Sequence, residues 1–292
     1  RDADELLDVF LPKTVPGMEA RTANRNSGIG AGRIEWSRSM LTELNGKAGS
    51  LCQPAREGTL RCPLLVRSTS EDVITGHLFG SLQAINPRWW LPDLLNQALG
   101  EPRFRSQIFR KLRIELWQKQ PPFPRSLVPW DEGQTEVDIV ISWENPATTV
   151  FIEMKYGSKL SSATVNNNGH AGFPSDQLIR NARVGLYQCG WYDEERLFEM
   201  PPRDFALILL TPALGNALIP EYRDPEKLRS AIPHGEKLSQ LPPAPFIGEL
   251  SYRCAVDLLN SRKRFMTKPE RILVTQLDDY LRFTLSQLKG SN

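Results

Sequence analysis

The sequence predicts an α/β fold in which a helix, a three-strand meander, a second helix and a fourth strand follow one another. Apolar residues alternate along a hairpin between Thr135 and Tyr156, and helical apolar stripes lie on both sides of it. A short continuous apolar run, FALILL from Phe205 to Leu210, follows the second stripe, as expected of a buried strand. We therefore expect one sheet with helices packed against it.

The first helix is predicted to begin at Glu71-Asp72, with Ser70 as its cap. The two early acids favour the positive end of the helix dipole. Its apolar stripe consists of Ile74, Leu78, Phe79, Leu82 and Ile85. Pro87 lies just beyond the stripe, and a helical insertion is predicted between Arg88 and Arg110.

The three-strand meander follows this insertion. Its first strand is predicted from the alternating residues Leu112, Ile114 and Leu116. The second strand places Val137, Ile139, Ile141 and Trp143 on one face, and the third places Val150, Ile152 and Met154 on one face. The loop from Glu144 to Ala147 between them has the composition of a turn.

The register of this hairpin places charged residues opposite one another. If the chain folds about the Asn145–Pro146 bond, Asp138 lies opposite Glu153 and Glu136 lies opposite Lys155. The core-facing pairs are then all apolar: Val137 with Met154, Ile139 with Ile152 and Ile141 with Val150. A slip of one residue would turn the acids towards the core, so the apolar pattern selects this register.

Facing carboxylates point to a bound cation, because two carboxylates about 5 Å apart on paired strands otherwise repel each other. Oxygen ligands with no His or Cys nearby suit Mg²⁺ or Mn²⁺. Lys155 lies on the same face as Glu153, where it can orient a water or stabilise an oxyanion. Together with Asp138, these residues are candidates for metal-assisted phosphodiester hydrolysis. The alternative is a solvated polar face with an ordinary salt bridge.

This acid on the second strand, followed by E-x-K on the third, resembles the PD-(D/E)xK phosphodiesterase superfamily. The resemblance implies a restriction-endonuclease-like core of helix, three-strand meander, helix and strand over residues 67–213. It also implies that Asp138, Glu153 and the Met154 carbonyl bind metal and that Lys155 is the catalytic lysine. Val137 stands where the motif has proline, a position that often varies in the superfamily.

Two helices are expected to contribute further polar residues. The first helix often supplies another carboxylate in this superfamily, and Glu71 is the candidate, with Asp72 behind it. The alternative is that both acids serve only the helix dipole. The second helix begins at Ser175-Asp176, after a polar loop, and carries Gln177 and Arg180 in its first turn. Many members of the superfamily place a polar residue near the substrate at this position. The alternative is that Gln177 and Arg180 only cap the helix. Its apolar stripe consists of Leu178, Ile179, Ala182, Leu186 and Cys189.

Two dense basic runs are candidates for nucleic-acid binding, although the net charge of the chain is only +2. The first run contains Arg103, Arg105, Arg110, Lys111 and Arg113, and the second contains Arg262, Lys263, Arg264 and Lys268. An ordinary solvated face is the alternative for each run. Beside a phosphodiesterase motif, we expect at least one run to contact phosphates.

The remainder of the chain is expected to form extensions of this core. Residues 1–66 are predicted to be an accessory region with short helices near residues 3–10 and 33–44. Residues 214–292 are predicted to be irregular up to Pro245 and then to form two helices that pack on the core. The last helix begins at Pro269, and the C-terminal helices are candidates for contact with a second copy or a partner protein.

Composition narrows the class of protein further. The 292 residues are 40% hydrophobic and 24% charged, which is typical of a globular protein. The cysteines, Cys52, Cys62, Cys189 and Cys254, have neither zinc spacing nor disulfide density. With no long apolar run or signal-peptide pattern, we expect a cytoplasmic protein without a membrane partner.

The function that we predict is a Mg²⁺-dependent or Mn²⁺-dependent nuclease acting on DNA, with RNA left open as a substrate. Asp138, Glu153 and Lys155 are all present, whereas degenerate members of the superfamily normally lose the second acid or the lysine. The alternative is a protein of the same fold that binds nucleic acid, or takes part in an assembly, without cutting. Restriction, repair, mobile-element processing and phage defence all remain open as roles.

Overall fold

The protein folds around an open, mixed five-stranded sheet with the strand order β1-β2-β3-β4-β5. The computed structural model describes residues 70–121, 133–157, 160, 176–193 and 201–288. The strands are β1 (Arg110–Gln120), β2 (Thr135–Glu144), β3 (Thr148–Met154), β4 (Asp204–Thr211) and β5 (Ile247–Ser251). The first three strands form an antiparallel meander, and β4 and β5 continue the sheet in parallel with β3. The α/β class predicted from the sequence is confirmed.

Helices cover both faces of this sheet. They are α1 (Glu71–Ala84), α2 (Leu91–Leu99), α3 (Gln177–Gln188), α4 (Leu218–Arg223), α5 (Pro225–Ala231), α6 (Tyr252–Arg262) and α7 (Lys268–Leu288). Apolar residues of α1, α2, α6 and α7 form one buried cluster with one face of the sheet. Those of α3, α4 and α5 form a second cluster with the other face. Burial on both faces explains why β3 and β4 are almost continuously apolar.

The start of α1 corrects one detail of the prediction. The helix begins at Glu71, and Ile74, Leu78, Phe79 and Leu82 are buried as its stripe predicted. Ser70 occupies the N-cap position, but its side chain makes no capping hydrogen bond. Its backbone carbonyl instead accepts the first helical bond, from the amide of Ile74 at 3.0 Å.

From Ile139 to Trp143 the β2–β3 hairpin has the predicted register, since Ile139 pairs with Ile152 and Ile141 with Val150. The described ladder ends at Ile139, before the predicted pairs of Asp138 with Glu153 and of Glu136 with Lys155. Val137, however, was expected on the same face as Ile139, and it belongs to the opposite core cluster. The alternation breaks where Trp117 of β1 passes Asp138. Trp117 has a left-handed φ of 50°, and the described β1–β2 ladder omits this pair. The register of β1 and β2 is the same on both sides of this pair, yet Val137 beyond it turns to the other face.

The region after β4 is more regular than the sequence predicted. Residues up to Pro245 were expected to be irregular, yet α4 and α5 form there. Asp224 caps α5 through its carboxylate, and Pro225 takes the first helical position, so this proline begins a helix. Strand β5 was also missed, because only five residues of mixed polarity form it.

The last helix follows the prediction closely. It begins at Lys268, with Pro269 in its first turn, and packs on α1 and α6 of the core. Its outer face leaves the large apolar side chains Ile272 and Phe283 exposed. The predicted helices before residue 67, Cys52, Cys62 and most of the loop before α3 lie outside the described residues. None of the helices described has the length and apolar character needed to cross a membrane.

Candidate functional site

Three carboxylates and a lysine meet at the end of β3. Glu153 is the penultimate residue of that strand, and Lys155 follows the strand directly. Glu71 comes from the first turn of α1, and Asp138 comes from β2, one residue beyond the last described ladder pair between β2 and β3. The structure therefore brings together the four side chains that the sequence singled out.

Glu153 is the centre of this cluster. Its side chain has no exposure to solvent, and its Oε1 lies 2.7 Å from the Lys155 ammonium in an ion pair. The other oxygen, Oε2, accepts a hydrogen bond of 2.9 Å from the Nδ2 of Asn181 on α3. Glu153 is therefore held from both sides in one orientation.

Burial shifts the ionisation of this pair. It raises the pKa of Glu153 to about 8, and the Asp138 carboxylate adds to the rise, while Lys155 and Asn181 oppose it. For Lys155, burial is the largest single influence and lowers the pKa, but the carboxylates of Glu153, Glu71 and Asp138 together outweigh it and leave the pKa above its ordinary value. A buried carboxylate with a raised pKa is poised to exchange its proton for a cation.

Glu71 connects α1 to the end of β3. Its Oε1 accepts a hydrogen bond of 3.0 Å from the backbone amide of Tyr156, and its Oε2 lies 3.5 Å from the Lys155 ammonium. The Glu71 side chain is 31% exposed. Lys155 thus lies between a buried carboxylate on one side and a partly solvated one on the other.

Asp138 is placed by the irregularity in the sheet. Its Oδ2 accepts a hydrogen bond of 2.8 Å from the backbone amide of Met154. This bond replaces a ladder bond at the end of the hairpin and directs the carboxylate towards the end of β3. Asp138 is partly exposed, whereas Glu153 beside it is completely buried. The two acids therefore differ in their access to solvent.

Two residues that the sequence analysis missed support the cluster. Asn181 is completely buried, and its only sequence signal was a polar residue within the apolar stripe of α3. Tyr252, the first residue of α6, donates a hydrogen bond of 3.1 Å to the Lys155 carbonyl. Burial raises the pKa of Tyr252 well above its usual value, and Glu71 and Asp138 add to the rise. No motif pointed to Tyr252, because it follows the strand that was missed.

The donor set fits a hard divalent cation. Asp138, Glu153 and Glu71 offer carboxylate oxygens, and Oε1 of the buried Glu153 is held by the Lys155 ammonium at 2.7 Å. As the side chains stand, no three Asp, Glu, His or Cys residues in the described part lie close enough to enclose an ion. The Lys155 ammonium instead lies between Glu71 and Glu153.

A cavity of about 790 Å³ opens beside this cluster. Lys155 and Tyr156 form one wall of it, and the end of β4 at Thr211 forms another. Asp176 lies at the start of α3, where its Oδ1 caps the helix through the Ile179 amide at 2.9 Å. The candidate site is therefore connected to a space large enough for part of a substrate.

The supporting residues proposed from the sequence lie around the cluster. Gln177 and Arg180 are in the first turn of α3 and are partly exposed, but the residue of this helix that contacts Glu153 is Asn181. Glu136 lies across from Lys119 on the neighbouring strand β1. Met154, whose carbonyl is a candidate ligand, is completely buried.

The first basic run divides into two parts. Arg103 forms an ion pair with Asp204 at the start of β4 and donates to the Pro243 carbonyl at 2.8 Å. Asp204 pairs with Thr148, six residues before Met154, which places Arg103 about 20 Å from the cluster. Arg105 and Arg110 are exposed. Lys111 and Arg113 are also exposed, and with Lys119 they line a polar trough of about 480 Å³ along β1.

The second basic run lies far from the cluster. Arg262 pairs with Asp93 of α2 at 2.6 Å, and the guanidinium of Arg264 lies over the ring of Phe265. The 21-residue α7 begins after Arg262, Lys263 and Arg264 and spans about 30 Å. The other end of α7, at Leu288, lines the cavity beside Lys155. The run is therefore about one helix length from the candidate site.

Comparison with known proteins adds no assignment. No protein-family model matches the chain, and no curated protein and no solved structure matches it either. The function is therefore inferred from the chain's own residues and their geometry.

Proposed function

We propose that this protein is a metal-dependent nuclease of the PD-(D/E)xK type that hydrolyses DNA phosphodiester bonds with Mg²⁺ or Mn²⁺. The observation that supports it most is the shared lysine. Lys155 lies 2.7 Å from Glu153 and 3.5 Å from Glu71. Asp138 accepts a hydrogen bond from the backbone amide of Met154, the residue between Glu153 and Lys155 in the sequence. An acid from β2, the E-x-K of β3 and an acid from the first helix match the arrangement that the resemblance implies.

The metal ligands in this proposal are Asp138, Glu153 and the Met154 carbonyl, with Glu71 as a further carboxylate. A bound ion would supply a Lewis acid for the phosphoryl oxygens and lower the pKa of a water nucleophile. The chain's own contribution is to hold the ligands. Asn181 fixes one oxygen of Glu153, and the Met154 amide fixes one oxygen of Asp138.

Lys155 is assigned the role of stabilising charge on the phosphate. Its pKa is above the ordinary value, so it stays protonated throughout the physiological pH range. An ammonium beside the acids can neutralise an anionic substrate that the carboxylates alone would repel. Tyr252 holds the backbone of this lysine through the Lys155 carbonyl.

Cleavage assays on circular, linear, single-stranded and branched DNA, with Mg²⁺ and with a chelator, test the proposal. We expect a Mg²⁺-dependent product on at least one substrate and none with Glu153→Gln. Glu226→Gln, an exposed glutamate of α5, is the matched control and should cleave as the wild type does. DNA binding without product on any substrate would instead favour the alternative, a non-cleaving nucleic-acid-binding protein.

A further inference from the structure

We propose that the cavity beside Lys155 holds one unpaired nucleobase of the substrate, adjacent to the phosphate that is cut. This inference rests on the proposed nuclease function and names the part of the substrate that the site recognises. It predicts that the substrate is single-stranded, frayed or otherwise unpaired at the cleavage position.

The position of the cavity supports this inference. It lies beyond the ends of β3 and β4, the two parallel strands at the centre of the sheet. Crevices outside the carboxyl ends of parallel strands are frequent ligand sites in α/β proteins. Lys155 belongs to both the cavity wall and the catalytic cluster. A group bound in the cavity is therefore next to a phosphate held at Lys155.

The lining suits a base better than a phosphate. Lys155 is the only cation among the described lining residues, whereas both Asp176 and Glu221 line the cavity. Two carboxylates would repel a second phosphate but accept hydrogen bonds from the amino groups of a base. Apolar side chains of Leu160, Leu218 and Leu288 provide walls against which a flat ring can pack.

The polar part of the lining is partly fixed in advance. The Tyr222 hydroxyl donates a hydrogen bond of 2.5 Å to Asp176 Oδ2, and the Ile179 amide donates to Oδ1. Tyr222 and Asp176 are both buried, and both carboxylate oxygens of Asp176 accept a hydrogen bond. Glu221 is exposed, which leaves its carboxylate available as the acceptor that contacts a base.

The size of the cavity determines the state of the substrate. A volume of about 790 Å³ is within the range of small-molecule pockets, so it admits a single nucleotide. A base in a duplex can enter such a pocket only after it leaves the stack, at a cost of a few kcal/mol. Unpaired substrates avoid that cost, so we expect faster cleavage of single strands and frayed ends.

The test combines modified substrates with a variant that fills the cavity. Single-stranded oligonucleotides, each with one abasic site moved along the sequence, are compared with the unmodified strand and with a blunt duplex. Ala213→Trp adds a large ring at an exposed residue of the lining. Ala84→Trp, at the exposed end of α1, is the matched control outside the cavity lining.

We expect the wild type to cleave the unmodified single strand about tenfold faster than the blunt duplex. An abasic site next to the cut should slow the wild type roughly tenfold, the loss expected for one stacked base. Ala213→Trp should be slow on the unmodified strand and insensitive to that abasic site, while Ala84→Trp should behave as the wild type does.

The outcomes separate the two proposals. Product formed at equal rates from intact, abasic and duplex substrates would overturn the base-binding inference and leave the nuclease proposal standing. An Ala213→Trp variant that keeps the full abasic effect would likewise overturn the base-binding inference alone. If none of the substrates gives a product, the nuclease proposal is overturned, and the base-binding inference with it.

Discussion

The Lys155 ammonium lies 2.7 Å from Oε1 of Glu153, a carboxylate that is completely shielded from solvent. A buried ion pair costs desolvation energy on both sides, so such a pair is weak evidence of a stabilising role. Glu71 approaches the same ammonium at 3.5 Å, and Asp138 lies close enough to raise the pKa of Glu153. Three acids around one lysine leave an excess of negative charge, which a divalent cation would neutralise.

Replacing Lys155 should separate catalysis from metal binding. In the proposed mechanism, Lys155→Met removes the charge that stabilises the phosphate, so cleavage should fall below detection. Mn²⁺ affinity should stay equal or rise, because a repelling cation next to the carboxylates has gone. Isothermal titration calorimetry with Mn²⁺ measures this directly. If the variant no longer binds Mn²⁺, Lys155 serves to hold Glu153 in place, and its catalytic role is wrong.

Much of this arrangement could be predicted from alternation alone. The apolar pattern of β2 and β3 fixed their register and therefore placed Asp138 and Glu153 at the same end of the sheet. Val137 was misplaced because the alternation of β2 breaks between Val137 and Ile139, opposite the left-handed Trp117 of β1, and no pattern in β2 announces it. Asn181 acts through tertiary packing, which periodicity does not encode.

Asn181 is predicted to be a positioning residue for Glu153. Asn181→Ala leaves Glu153 Oε2 buried without its donor, a loss of about 1–3 kcal/mol in the interaction that orients the carboxylate. We expect kcat to fall about tenfold or more with little change in KM. The pH–rate profile should also move to higher pH, because the lost bond had lowered the pKa of Glu153.

The control for that variant is Asn260→Ala, which removes a comparable hydrogen bond to Asp278 between α6 and α7. It should leave kcat and the pH profile unchanged. If both variants lose stability equally and neither shifts the pH profile, Asn181 has only a structural role.

The ionisation of Glu153 should make stability depend on pH in the metal-free protein. Its pKa is about 8 when folded and 4.5 for an ordinary glutamate, so the folded state binds this proton more tightly. The folded state is therefore favoured at low pH and loses stability as the pH rises from 4.5 to about 8. The raised pKa of Lys155 changes the stability of the fold only above pH 10.5, outside this window.

Urea unfolding at several pH values, with a chelator present, measures this dependence. The wild type should lose stability relative to Glu153→Gln across that window, because the amide has no proton to release. Parallel curves for the two proteins would show that Glu153 has the same pKa in the folded and the unfolded state, and the raised pKa would be wrong.

Lys111 and Arg113 are the members of the basic runs best placed to contact DNA. Both are exposed and line the polar trough along β1. Lys111→Glu with Arg113→Glu should weaken DNA binding for all sequences and reduce the salt slope by about one per lost contact. Fluorescence anisotropy over a salt series gives both quantities.

The matched comparison is Lys263→Glu with Arg264→Glu, a double reversal about 30 Å from the candidate site. It should weaken binding less and leave most of the salt slope. An equal effect of both double variants would point to general attraction, and no effect of either would place the DNA on another surface.

The rate of single-turnover DNA cleavage by Asp138→Asn in saturating Mg²⁺ tests the central claim most directly. Asp138 is partly exposed and accepts a backbone amide bond, so an amide of the same shape should preserve the fold. Loss of one metal ligand removes several kcal/mol of transition-state stabilisation, and we predict a rate roughly a thousandfold below wild type. Asp257→Asn, an exposed aspartate of α6, should cleave at the wild-type rate. Cleavage by Asp138→Asn at the wild-type rate would contradict the assignment of the site.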